Sequence, residues 1–187
     1  MTRFFPSLKS VVGAVVLGGQ VFLTSAVAQD ARLDPLFDTL ATTDAEGAPR
    51  IVEKIVIEWS KSGSPAMDYL LKRGRDAIES DDYSAAIQHF GALTDHTPDF
   101  AEGWHGLAIA YFNLDRIGPA MDALERTLAL EPRHFQAMEG VMVILIDAGR
   151  YDAAIQVVDL IASIHPHHPD LSTFQNRLAE QTRGRDV

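Results

Sequence analysis

Cysteine is missing altogether from the 187 residues. Disulfides, thiolate metal sites and cysteine nucleophiles are therefore excluded. Basic charge is scarce as well: 16 Lys and Arg stand against 26 Asp and Glu, and they form no cluster. A polyanion-binding face needs concentrated Lys and Arg to displace counterions, so nucleic acid is not an expected partner. The motifs of several enzyme classes are also lacking. There is no G-x-S-x-G, and Ser62 and Ser64 lie in a linker with no histidine at triad spacing. Neither a G-x-G-x-x-G nor a G-x-x-x-x-G-K occurs, which removes the dinucleotide and P-loop readings. Asp81 and Asp82 fall at a turn between helical patterns, where carboxylates solvate and cap helices. No catalytic residue and no cofactor are expected.

Long apolar runs are lacking too. Val11 to Leu23 is interrupted by Gly13, Gly18, Gly19 and Gln20 and falls short of the roughly 20 residues of a spanning helix. Arg3 and Lys9 precede this run without an acidic neighbour, and Ala26-Val27-Ala28 follows it with the small residues of a cleavage site. Residues 1–28 are thus expected to be a signal peptide, cleaved near Ala28 to leave Gln29 first. An uncleaved segment acting as the sole membrane anchor is the alternative. The cleaved form implies an exported bacterial protein, soluble in the periplasm.

What is present is helical periodicity. At 47% hydrophobic residues the composition is that of a folded protein. Leu33, Leu36, Phe37 and Leu40 share one helix face, and Asp34-Pro35 suits an N-cap and first helical position. Val52, Ile55, Val56 and Trp59 form a second stripe. Residues 60–65 (Ser-Lys-Ser-Gly-Ser-Pro) read as a linker that ends in another N-cap and proline. Residues 29–66 are expected to be an N-terminal helical cap or a degenerate repeat.

The rest of the chain repeats itself. Ala86 and Pro98 recur 34 residues later as Ala120 and Pro132, and again as Ala154 and Pro166. A fixed period of this length marks a stacked array of helix hairpins. The copies span 67–100, 101–134 and 135–168. They carry Leu70, Gly74, Ala77, Tyr83 and Phe90, then Trp104, Leu107, Ala108, Tyr111 and Leu124, then Met138, Val141, Leu145, Gly149, Tyr151 and Val158. On these residues the chain resembles the tetratricopeptide repeat (TPR) family, in the form of an exported bacterial member. Arg73 stands where the family prefers a large apolar residue, Met142 where it prefers a small one, and Thr127 where alanine is usual. Residues 169–187 are expected to be a capping helix on Leu171, Phe174 and Leu178 with a frayed tail from Arg183.

The resemblance implies an all-α, right-handed α-solenoid and a protein-binding scaffold, not an enzyme. In the family the first helix of each hairpin lines a concave groove. By position that implies Asp68, Leu71, Lys72, Arg75 and Ile78 from the first repeat. The second gives His105, Ile109, Phe112 and Asn113, and the third Glu139, Val143, Ile146 and Asp147. Lys72 and Arg75 at one end and Glu139 and Asp147 at the other would make the groove electrostatically polar. The asparagine and lysine set that clamps a peptide's terminal carboxylate in some members is not reproduced. The expected partner is a segment of an envelope or secretion-complex protein.

Two further readings stand beside it. His165, His167 and His168 crowd one loop, and imidazoles suit copper, nickel or zinc. A metal-binding periplasmic protein is therefore the alternative, against a solvated loop with no metal. Self-association through uncovered ends is the other, but both ends are expected to be capped and the protein monomeric. Ala120 is expected at a close helix crossing and Ala123 away from it.

Overall fold

The computed structural model describes residues 23–183. The signal segment lies outside them except for Leu23 to Ala28, which begin the first helix. Among the described residues the regular structure is helical: α1 (Leu23–Thr42), α2 (Ala48–Trp59), α3 (Pro65–Glu79), α4 (Tyr83–His96), α5 (Ala101–Asn113), α6 (Ile117–Leu130), α7 (Phe135–Asp147), α8 (Tyr151–Ile164) and α9 (Leu171–Arg183). None of these helices is long and apolar enough to cross a membrane.

From α3 to α9 each helix packs on the next, and α5 also touches both α3 and α7. Alternate helices therefore form an inner row, α3, α5 and α7, backed by α4, α6 and α8. This is an all-α solenoid.

The 34-residue period is visible as geometry. Ala86, Ala120 and Ala154 have no exposed surface at all. Each hairpin turn places one residue in the left-handed region at the same register: Asp81 and Asp115 at φ 57°, Gly149 at φ 68°. The next residue donates back to the closing helix, as Asp82 N–H to Ala77 O (2.8 Å), Arg116 to Tyr111 (2.9 Å) and Arg150 to Leu145 (2.8 Å). Such 6→1 bonds satisfy carbonyls that a helix end leaves open.

Packing between hairpins follows side-chain size. The Phe90 ring lies between Gly74 and Gly106, where an added Cβ would come within 2.5 Å and 2.4 Å of it. One repeat on, the smaller Leu124 meets Gly140, where a Cβ would stand 3.0 Å away. At the third step the buried residue shrinks to Val158, and half-buried Phe174 of α9 replaces the glycine in register. Bulk on one helix is matched by its absence on the next.

The departures from the family pattern are absorbed locally. Arg73 is exposed, and Met142 is buried among the apolar residues. The Thr127 hydroxyl, fully buried, donates to the Ala123 carbonyl at 2.9 Å. Ala123 itself is 3% exposed, so it is buried like Ala120. It lies on α6, which packs against both α5 and α7.

The N-terminal pair also differs from expectation. The first helix does not begin at Asp34-Pro35 but runs through Pro35. Proline removes one N–H there, and Asp34 serves instead as the partner of Arg133 at 2.8 Å. Nor does the pair simply extend the stack at its first repeat: α1 reaches α8, and Trp59 of α2 packs on His134 and Phe135 at the start of α7. The apolar stripes explain the destination. Leu33, Phe37, Leu40, Ile55 and Trp59 are all buried, and they cover the side of the array where the inner row begins its third repeat.

Candidate functional site

The inner row carries two adjoining cavities. One, of about 240 Å³, is lined by Val56 of α2, Arg75 and Ile78 of α3, Phe90 of α4, Glu102, His105, Gly106 and Ile109 of α5, and Gln136 of α7. The other, of about 140 Å³, is more apolar and lies between α5 and α7, on Ala108, Ile109, Phe112, Leu124, Val143 and Ile144, with His105, Asn113, Gln136 and Gly140. Gly106 and Gly140 stand in the two linings, and the missing Cβ of each admits the Phe90 ring and the Leu124 side chain behind it.

A polar chain runs beneath the first cavity. The Arg75 guanidinium pairs with one oxygen of the buried Glu102 carboxylate and also donates to Ser60 Oγ at 2.9 Å. The other Glu102 oxygen accepts from His134 Nε2 at 3.1 Å, and His134 Nδ1 accepts the Ala137 N–H at 3.2 Å. Trp59 lies flat on the His134 ring, with centroids 4.2 Å apart and planes 4° from parallel. This chain joins α2 to one helix from each of the three repeats. Burial pushes the Glu102 carboxyl upward, but the hydrogen bond and charge of His134, with His105 and Arg75 nearby, hold it down at about 2. Half-buried His105 is pushed down to about 3, first by burial and then by His134 and Arg75 against the opposing pull of Glu102.

Glu102, His105 and His134 bring three possible ligand atoms within 4.8 Å of one another. A two-histidine, one-carboxylate set is a familiar metal constellation. The hydrogen bonds argue against that use. Because Nδ1 of His134 accepts a backbone N–H, its ring proton is on Nε2 and points at Glu102. A metal-bound histidine shows the reverse, with the free nitrogen donating. The Arg75 cation on the same carboxylate opposes a second cation further. The cluster is a structural polar network.

The residues expected in the groove separate into two groups. His105, Ile109, Phe112, Asn113 and Val143 do line the open cavity together. Arg75 and Glu139 are partly exposed but paired, Arg75 in the lining of the first cavity with Glu102, and Glu139 with His168 Nε2 at 2.9 Å. Lys72 is exposed and pairs with Asp76 one turn on, at 2.8 Å. Its ammonium is held above the ordinary lysine value by that hydrogen bond and charge. Leu71 and Ile146 are core, Asp147 is exposed, Ile78 lines the first cavity, and Asp68 accepts from the Ser62 N–H at 2.9 Å in the linker. Of the four charges that were to polarise the groove, Arg75 and Glu139 are half-buried and paired, while Lys72 and Asp147 are exposed.

The histidine loop is not a solvated loop. His165 is 3% exposed and packs on Phe135 and His168. Burial, with His168 and His167 close by, pushes it down to about 4. His168 spends one nitrogen on Glu139 and the other on the Asp170 N–H, while His167 is exposed. Three imidazoles do not converge there.

Glu102, Gln136 and the α2 residues Val56 and Trp59 were not foreseen as site residues. Glu102 and Gln136 had a signal, since they continue the 34-residue register of Asp68. The part played by α2 had none, because nothing in its stripe says which surface it covers.

Comparison with known proteins agrees with the architecture. Two tetratricopeptide repeat family models match, one over residues 77–140 and one over 120–169. A TPR repeat-containing protein of Rhizobium etli is 31% identical over 154 residues, which cover 82% of this chain and 76% of that protein. Among solved structures, MamA aligns with a TM-score of 0.59 at 23% identity, covering 84% of each chain. The first TPR of Spaghetti, bound to an HSP90 peptide, aligns with a TM-score of 0.58 at 16% identity over 65% of this chain and 96% of its own. At these identities the solved structures share the fold with this chain.

Proposed function

Since the chain belongs to the tetratricopeptide repeat family, we propose that it is a non-enzymatic scaffold of the bacterial periplasm that holds a segment of an envelope protein on its inner row. The fold supports a protein–protein interaction scaffold. The observation that carries the site is the cavity between α5 and α7, where apolar Ile109, Phe112 and Val143 stand beside His105, Asn113 and Gln136. Phe112 is 36% exposed, a large aromatic edge left in water at the mouth of this cavity. An apolar side chain of a partner entering there removes that surface from water, and the flanking amide groups fix its orientation.

The test compares capture from periplasmic and membrane extracts by the unmodified protein, by Phe112→Ala with Val143→Asp, and by Leu160→Ala on α8 as a control outside the cavity. Groove binding predicts partners lost in the double variant and kept in the control. Equal capture by all three sinks the site. The compartment has its own check. Mass spectrometry of the protein from its native envelope fraction is expected to find Gln29 first, which leaves α1 intact from there to Thr42. An N-terminus at Met1 would instead mean a retained anchor.

A further inference from the structure

Part of the inner row, from Arg75 of the first repeat to His134 and Phe135 where the third begins, is already covered by the chain itself. Trp59 is 1% exposed and stacked on His134, with Phe37 and Phe135 closing round it at 6.1 Å and 5.2 Å between ring centroids. Ser60, the residue after α2, accepts from Arg75 of the first repeat. Val56, one turn earlier, lines the first cavity against Arg75, Ile78 and Glu102. So a helix, with an apolar edge of Ile55, Val56 and Trp59 and a hydroxyl at its end, lies where a partner of the inner row would lie.

From this seating, and building on the protein-binding reading above, we infer that the inner row is a receptor for an amphipathic helix. The ligand it takes carries tryptophan one turn after a β-branched pair and a small hydroxyl residue next to the tryptophan. In the resting chain α2 holds this site in cis, and a partner helix of the same chemistry replaces it. The groove fits a helix and not an extended strand, because the anchors it grips on α2 recur at helical spacing.

Two observations make α2 replaceable. The Trp59 indole N–H is buried without an acceptor from the protein, a cost that weakens the hold of α2 on the site. The α1–α2 pair is also joined to the array through a short linker containing Gly63 at φ 82°, and it is not one of the stacked hairpins. Occupation in cis lowers the apparent affinity for a partner by the fraction of time the site is open.

The probe is a fluorescein-labelled synthetic peptide of residues 46–62 of this chain, added to the full-length protein and read by anisotropy. Trp59→Ala weakens the cis helix, so the peptide is expected to bind that variant about tenfold or more tighter than the unmodified chain. Trp59→Phe keeps an aromatic stack and stays closer to the unmodified chain. A peptide with its own tryptophan changed to alanine binds neither. Equal binding to the unmodified and Trp59→Ala chains overturns the inference. So does no binding to a Trp59→Ala chain that still melts cooperatively.

If Trp59→Ala fails to fold, hydrogen exchange on the unmodified chain decides. Displaceability requires α2 amides to exchange about tenfold or more faster than those of α5 and α7, through an opening that leaves the array intact. Exchange of all three at one common rate overturns it. The peptide experiment uses no cellular partner, so its failure leaves the capture result at Phe112 and Val143 standing, and the two readings fail separately.

Discussion

Gly106 shows how much a single missing methyl carries. A Cβ there would stand 2.4 Å from the Phe90 ring, and the ring cannot retreat because the Gly74 backbone closes its other side. Alanine gains about 1 kcal/mol of helix propensity over glycine, but overpacking of a closed core costs about 1–3 kcal/mol. Gly106→Ala is therefore expected to lower the denaturation midpoint, and less so with Phe90→Leu present. Gly91→Ala on α4, with nothing within 4 Å of its added carbon, should raise the midpoint, through a gain in stability of up to about 1 kcal/mol. Thermal melts of the unmodified chain, these variants and Phe90→Leu alone separate packing from propensity.

The buried histidines set a pH dependence at the same scale. His105 and His165 titrate near 3 and 4 in the folded chain, against 6.5 for a free histidine. The unfolded chain therefore binds more protons below pH 6.5, and stability falls as the pH falls, through about 4 for His165 and about 3 for His105. Glu102, held at about 2 against 4.5, adds a loss in the same direction below pH 4.5. Urea midpoints should drop between pH 7 and pH 5, and His105→Gln should flatten that drop. A midpoint unchanged across this interval would show that the histidines are not held neutral.

At the scale of the element, each hairpin is set by one left-handed residue at its turn. Asp81 and Asp115 take it at some strain, and Gly149 takes it freely. Nothing lies within 4 Å of a Cβ added at Gly149, so a substitution there meets backbone strain alone. Gly149→Ala is expected to cost about 1–2 kcal/mol, and Gly149→Asp less, because aspartate tolerates this conformation. Equal losses for the two would mean that the turn relaxes on substitution and does not enforce φ. Helix α9 ends the series differently: its half-buried Phe174 takes the register position of Gly106 and Gly140, while Leu171 and Leu178 are buried. Its other faces are polar and exposed, which lets the stack stop.

For the whole molecule, the repeats are coupled through their shared faces. Ala120 has no exposed surface on α6, and a leucine there must push α5 and α6 apart. Both flanking interfaces should loosen with it, since an array passes damage to its neighbours. Ala120→Leu is expected to lower the melting temperature markedly while helix content in the cold is nearly kept. The matched control is Ala129→Leu on the exposed side of the same helix, because Ala123 proves to be buried too. Circular dichroism melts of the pair would show whether the 34-residue register governs the packing, and similar behaviour of the two would mean that it does not.

The sequence by itself determined the repeat. Alanines at 34-residue intervals and apolar stripes at helical spacing leave one economical arrangement, hairpins that bury small residues against each other, because each hairpin needs its neighbour to cover its apolar face. Which helices form the inner row came from the resemblance to the family, and by position it implied His105, Ile109, Phe112, Asn113 and Val143 among the groove residues. Local periodicity cannot say where a segment outside the period docks, or which charges find partners across repeats. Only the tertiary structure decided that Arg75 and Glu139 are spent on Glu102 and His168, that His165 is buried, and that Trp59 lies on His134. Those contacts join residues 27 to 75 positions apart and depend on how the repeats curve. The curvature is a sum over every interface in the stack, and no single stretch of sequence contains it.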